Sequence, residues 1–287
     1  VKFSVIVVNF NSGDYLLYSL RSIKLNLDEN SEVIVVDNNS TDNSINKAKK
    51  IFPEFKYIES KRNLGYGGGC NLGAKYAKGD ILIFSNADVI ITKGVFDKIR
   101  GYLEKDNKIG ILGPRFEYPD GSYQPSCRRY PRFKYLLFGR KSIGSSIFKN
   151  NPITREFLYL DLENEKNPIE VEGIVGAFIV IKKHIFEEIG GFDERFFLFA
   201  EDIDLCLRVK ERGYKILHAP DIRIIHFHGG SRRYLGLKSD YYLRKSIYKF
   251  FKKHNSINLF KKALLNLGLV ATTAFSSMVS IFYKNGK

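Results

Sequence analysis

Cysteine is scarce. The 287 residues include three, Cys70, Cys127 and Cys206, set far apart and without a C-x-x-C pair. An odd, widely spaced set supplies neither a disulfide framework nor a zinc site, and it fits a reducing compartment. A secretory leader is also missing, because the apolar run Phe3–Phe10 has neither a basic leader nor a cleavage site, so the folded part of the chain is expected in the cytosol. No Gly-x-Gly-x-x-Gly follows the first apolar run and no Gly-Lys-Ser/Thr closes a glycine-rich stretch, which removes the dinucleotide fingerprint and the Walker A loop. Repeats and low-complexity segments are absent as well. Acidic residues are the minority charge, 31 against 46 Lys and Arg, for a net +15. Such a balance favours an anionic partner: nucleic acid, a phosphorylated small molecule or an anionic membrane surface.

What is present is an alternation of strand and helix. Phe3–Phe10 is a β-branched strand, and Tyr15–Leu27 spaces Leu16, Leu17, Leu20, Ile23 and Leu27 at helical intervals. Glu32–Asp37 is a second strand, Ser44–Phe52 a helix, Lys56–Ile58 a short strand, Asn63–Asn71 a glycine-rich loop and Leu72–Ala77 a helix. Ile81–Phe84 is a strand buried on both faces, and polar Ser85, Asn86, Ala87 and Asp88 begin where it should leave the sheet. The order β-α-β-α-β-α-β implies a mostly parallel central sheet flanked by helices. In such sheets ligands bind outside the carboxyl ends of the strands, so Asp88 is placed to hold a divalent cation against a phosphate, and Asp37 ends its strand in the same way. A plain Asn/Asp turn is the alternative at both positions. The glycines at Gly65 and Gly67–Gly69 would leave N–H groups free for an anion.

A second acidic cluster, Glu201-Asp-Ile-Asp204, precedes a helical stretch. Capping accounts for one or two of these carboxylates, but three within four residues exceed that need. His226 and His228 follow the strand-like Ile222–Ile225 and face one side if the strand persists. Across Glu117–Asn164 and just before it, Arg115, Arg128, Arg129, Arg132 and Arg140 are interleaved with Tyr118, Tyr123, Tyr130, Phe133 and Tyr135. That mixture suits a single-stranded nucleic acid, a diphosphate-linked acceptor or a lipid headgroup zone, yet no RNA-recognition or helix-turn-helix pattern accompanies it, so nucleic acid is not expected. Phe138–Phe157 lacks periodicity and reads as an acceptor loop. Ala263–Tyr283 carries no charge over its whole length, close to the ~20 residues that span a bilayer. The basic and aromatic Tyr241–Lys262 before it reads as an interfacial helix for anionic lipid, and the polar content of the later stretch favours lying on the surface over spanning.

Taken together, Ser4–Asn11, Val35–Asp42, Asn63–Asn71 and Asn86-Ala-Asp88 resemble the N-terminal half of the family-2 inverting glycosyltransferases with the GT-A fold. Gly113-Pro-Arg with Asp120-Gly-Ser, Gly173–Phe178, Gly190–Phe197, Glu201–Cys206 and His226–Ser231 continue the likeness in the order seen in its rhamnosyltransferase-like branch. The resemblance covers about Val1 to Tyr234. It implies a GT-A catalytic domain over residues 1–234 and a basic, apolar helical extension, membrane-associating, over 235–287. It implies a nucleotide-sugar site at Asn9, Asn11, Asp37, Asn63, Gly65, Asn71, Asn86, Ala87 and Asp88. Asp202 is implied as the base, with Glu201 and Asp204 orienting the acceptor or the helix. Mg²⁺ or Mn²⁺ is the implied cofactor, held by Asp88. The family's metal motif usually has Asp at both ends, so Asn86 makes a second ligand necessary, and His226 and His228 are its candidates; a true His ligand tilts the metal towards Mn²⁺. The expected partners are a dTDP- or UDP-sugar, a glycan or lipid-linked acceptor, and the cytoplasmic face of the cell membrane through the C-terminus. Two other classes stay open, a noncatalytic nucleotide-sugar binder of the same fold and a nucleotidyltransferase; the latter expects a basic residue in a glycine-rich loop after the first strand, which Asn9–Gly13 lacks.

Overall fold

Uninterrupted Val and Ile runs must be covered on both faces, and the central sheet does this. The computed structural model describes residues 2–138, 151–227 and 237–254. In chain order it contains β1 (Phe3–Asn9), α1 (Tyr15–Asn26), β2 (Glu32–Asp37), α2 (Ser44–Ile51), β3 (Lys56–Glu59), α3 (Gly65–Ala74), β4 (Ile81–Asn86), β5 (Val89–Ile91), α4 (Val95–Lys105), β6 (Ile109–Glu117), β7 (Tyr123–Gln124), β8 (Cys127–Arg128) and α5 (Phe133–Phe138). There follow α6 (Pro152–Leu158), a 3₁₀ turn (Leu160–Asn164), β9 (Ile169–Glu170), β10 (Gly173–Ile174), β11 (Phe178–Lys182), α7 (Lys183–Glu188), α8 (Glu201–Glu211), β12 (Lys215–His226) and α9 (Leu237–His254). The principal sheet runs β3-β2-β1-β4-β11-β6-β12-β5.

Parallel pairing holds from β3 to β4, as the alternation implies, but β11 then enters antiparallel to both β4 and β6 and makes the sheet mixed. Strand residues alternate between two cores. Val5 and Val7 of β1 join α1, α2 and α4 through Leu16, Leu20, Ile45 and Ile99 on one face. Ile6 and Val8 join Cys70, Phe186, Phe192, Leu205 and Val209 on the other. All three cysteines are free and buried.

One expected element differs. The glycine-rich stretch is not a loop but most of α3, and the reason is clearance: a Cβ at Gly73 would stand 2.4 Å from Ile6 Cγ2, and one at Gly69 2.8 Å from Val8 Cγ1. The glycines let α3 lie directly on β1. Of the expected acceptor loop Phe138–Phe157, the part from 152 onward opens α6, and residues 139–150 lie outside the described residues. The apolar stretch Ala263–Tyr283 also lies outside them. Among the described residues no helix is long and apolar enough to cross a membrane.

Candidate active site

The register of β1 puts Asn9 level with Asp37 of β2, and Val8 level with Asn86 of β4, so three polar residues share one edge of the sheet. Beyond that edge lies a cavity of about 380 Å³. Asn86, Ala87 and Asp88 line it where β4 ends, and β5 then turns off to pair antiparallel with β12, Val89 opposite His226. This pairing brings His226 onto Asp88. His226 Nε2 stands 3.4 Å from Asp88 Oδ1, and the two residues are only 6% and 5% exposed.

Gln124 decides which imidazole nitrogen faces the carboxylate. Its Nε2 donates to the His226 carbonyl at 3.1 Å, which turns its Oε1 to His226 Nδ1 at 2.5 Å. Nδ1 is thus the nitrogen that meets the Gln124 amide oxygen, and Nε2 is the one that faces Asp88. A carboxylate oxygen and an imidazole nitrogen so placed are joined by a proton or by a cation between them. Two ligands about 2.1 Å from one cation stand about 3.0–3.6 Å apart, so the spacing fits a divalent ion. Among the described residues no three metal-ligating side chains gather; a cation here would complete its shell from a ligand and water. His228 lies outside the described residues.

The second acidic cluster approaches the cavity from another element. Glu201, Asp202 and Asp204 form the first turn of α8, but they point different ways. Asp202 lines the cavity, its Oδ2 accepting from the Gly176 N–H and its Oδ1 from the Ile203 N–H, both at 2.8 Å. Burial pushes its carboxyl above the ordinary aspartate range, opposed by those two N–H groups and the nearby Arg128 guanidinium. Glu201 is 4% exposed, and its Oε2 has no hydrogen-bond partner. Burial first, and the neighbouring Asp202 second, hold Glu201 well above the usual range. The environments thus divide the pair: Asp202 has donors that stabilise its anion, whereas Glu201 is favoured neutral. Tyr66 donates its hydroxyl to the Gly176 carbonyl and so fixes the residue whose N–H orients Asp202. Asp204 faces away, fully buried against Arg208, Lys253 and His254.

The remaining expected residues fall into two groups. Asn63 and Gly65 line the cavity, Asn63 Oδ1 accepting from the Gly65 N–H at 2.9 Å. Asn9, Asn11 and Asp37 sit beside it and bond to their own loop: Asn9 Nδ2 donates to Asp37 Oδ1 at 2.7 Å, and Asn11 Oδ1 accepts from the Thr41 N–H at 2.7 Å. Asn71 ties α3 to the next lobe, bonding both the N–H and the carbonyl of Phe192. Sequence reasoning passed over Asn38, Gln124 and Tyr66 as site residues. Asn38 lines the cavity and clamps the start of α3, donating to the Gly65 carbonyl at 2.8 Å and accepting from Leu64 at 3.0 Å. Its place just after the Asp37 strand end was a usable signal, whereas nothing local to Gln124 links it to a histidine 102 residues away.

Against known proteins, the profile of glycosyl transferase family 2 matches residues 4–190, and that of the N-terminal domain of galactosyltransferase matches 158–229. The fold is that of a GT-A glycosyltransferase. The chain belongs to glycosyl transferase family 2. It is 29% identical over 233 residues to an N-acetylglucosaminyl-diphospho-decaprenol L-rhamnosyltransferase of Mycobacterium tuberculosis, covering 77% of this chain and 75% of that one. It is 24% identical over 258 residues to the rhamnosyltransferase WbbL of Escherichia coli, covering 87% and 92%. Among solved structures, the mannosyltransferase PcManGT from Pyrobaculum calidifontis, in complex with GDP-Man and Mn²⁺, superposes with a TM-score of 0.58 at 17% identity, over 96% of this chain and 73% of that one. GalNAc-T7 with UDP, GalNAc and Mn²⁺ gives 0.59 at 17% identity, over 78% of this chain and 43% of that one.

Proposed function

We propose that this family-2 glycosyltransferase works by inversion, moving rhamnose from a dTDP- or UDP-linked donor to a hydroxyl of a glycan or lipid-linked acceptor in cell-surface polysaccharide assembly. The observation that carries the reading is that Asp88 and Asp202, on separate elements, line one cavity, Asp88 beside His226 and Asp202 held by two backbone N–H groups. Asp88 and His226 would hold Mg²⁺ or Mn²⁺, and the ion would neutralise the charge of the departing diphosphate. Asp202 takes the proton from the acceptor hydroxyl as that oxygen attacks the anomeric carbon; the bond to the diphosphate oxygen breaks with its electron pair leaving on the diphosphate. The Gly176 and Ile203 N–H groups hold the carboxylate still during this transfer. Burial favours the neutral form of Glu201, which limits the negative charge beside the base. Rhamnose rests on the names of the two relatives. The C-terminal extension is proposed to hold the enzyme at the cytoplasmic face of the membrane, near a lipid-linked acceptor.

Incubation with dTDP-, UDP- and GDP-sugars and either Mn²⁺ or Mg²⁺, read as nucleoside diphosphate released, tests the proposal. Release from one donor, dTDP-rhamnose above the rest, is expected. Neither release nor binding with any donor would leave a noncatalytic binder of the same fold.

A further inference from the structure

We infer that α9, which lies beyond the last residue that either family profile reaches, is a brace that holds the base in place, with Lys253 and Ser246 as positioning residues; this rests on the reading of Asp202 above. The segment that delivers Asp202 is unusual. Phe199 and Ala200, immediately before α8, both have left-handed backbone, with φ of 67° and 63°, and neither is glycine. Such a turn persists only where its surroundings over-determine it. Tyr66 of α3 donates its N–H to the Phe197 carbonyl at 3.2 Å, and α9 supplies further contacts. Ser246 Oγ donates to the Leu198 carbonyl at 2.8 Å, and Lys249 Nζ donates to the Arg195 carbonyl. Phe250 packs with Phe196, Ala200 and Ile203, and the Tyr242 ring lies 4.8 Å from that of Phe197.

A buried ion cluster ties the two ends of the segment together. Lys253 Nζ bonds Asp204 Oδ1 at 2.6 Å and Asp193 Oδ2 at 2.8 Å, so one ammonium bridges the loop before the turn and the helix after it. Asp204 is fully buried and also receives Arg208 and His254. A buried carboxylate stripped of one cation is not re-solvated in place, so loss of Lys253 loosens this junction rather than merely its surface. Asp202 stands two residues from Asp204 on the same helical turn. Truncating the Lys253 side chain therefore moves the base without touching any group that lines the cavity.

The test uses the full chain carrying Lys253→Met, Lys253→Arg or Ser246→Ala, with Lys252→Met, an exposed change on the same helix, as control. For Lys253→Met, kcat for donor turnover should fall by about 10²-fold with the donor KM unchanged, since a displacement of about 1 Å costs that much. Lys253→Arg should restore most of it, and Lys252→Met should match the wild type. Amide exchange across residues 198–203 should speed up in Lys253→Met and Ser246→Ala, a readout independent of activity. Unchanged exchange and kcat in a folded Lys253→Met protein would overturn the brace. A wild type that turns over no nucleotide sugar would sink the functional reading alone, and the exchange rates would still decide the brace. Should Lys253→Met fail to fold, Ser246→Ala gives the same decision through its exchange and kcat.

Discussion

Replacing Gly73 and Gly101 by alanine, one at a time, separates what glycine does inside a helix from what it does between a helix and a sheet. Both lie in α-helices, and intrinsic propensity alone favours each substitution by about 1 kcal/mol. At Gly101 of α4 a new Cβ meets nothing within 4 Å, so Gly101→Ala should stabilise the protein by about 0.5–1 kcal/mol. At Gly73 of α3 it would stand 2.4 Å from Ile6 Cγ2 and 3.0 Å from Val36 Cγ2. Those are fully buried β-branched side chains of β1 and β2, stiff about χ1 and unable to swing aside. Overpacking of this kind costs about 1–3 kcal/mol; at the upper end, less the propensity gain, Gly73→Ala loses about 2 kcal/mol. Urea denaturation at constant m-value reads both changes, the two midpoints moving in opposite directions from the wild type. A Gly73→Ala protein as stable as the wild type would refute the close seating of α3 on β1. It would also release the constraint that puts Tyr66 and Gly65 at the cavity wall.

Glu201→Gln should reverse a pH-dependent loss. Burial keeps the Glu201 carboxyl protonated in the folded protein at pH values where the unfolded chain, with a value near about 4.3, has released the proton. The stability linked to it is thus fully present below about pH 4 and is lost as pH rises through the folded value. Denaturation midpoints of wild type and Glu201→Gln should converge in acid and diverge in the variant's favour towards alkaline pH; a gap that does not change with pH would contradict this. Gln124→Met removes the side chain that orients the His226 ring, so Mn²⁺ affinity measured by titration should fall about 10–100-fold. An unaltered affinity would exclude His226 as the second ligand. A chain lacking residues 259–287 should move from the membrane to the soluble fraction, and its retention on membranes would remove the proposed role of the extension.

The parallel half of the sheet and the strand-end position of Asp88 were legible because both follow from short-range pattern, apolar runs that stop at polar residues. The helical state of Gly65–Asn71 was not. Glycine carries no hydrophobic period, and the demand for it comes from Ile6 and Val8, some 60 residues earlier. The antiparallel entry of β11 was equally hidden, since an apolar strand has no sequence mark of direction. Within Glu201–Asp204 the three carboxylates look alike as letters, yet helical rotation sends Asp202 to the cavity and Asp204 to Lys253 and His254. Tyr241–Lys262, with its basic and aromatic mixture, read as a lipid-facing helix. The inward face of its first half rests on the segment that carries the base, through contacts no local pattern announces.

The central claim is that Asp202 is the base of a sugar transfer whose donor binds apart from it. Its most direct measurement is turnover of the preferred nucleotide sugar by wild type and Asp202→Asn, with donor binding measured on the same two proteins. Turnover should fall by about 10²–10⁴-fold while donor affinity is retained. An Asp202→Asn protein that turns over donor at the wild-type rate would contradict it.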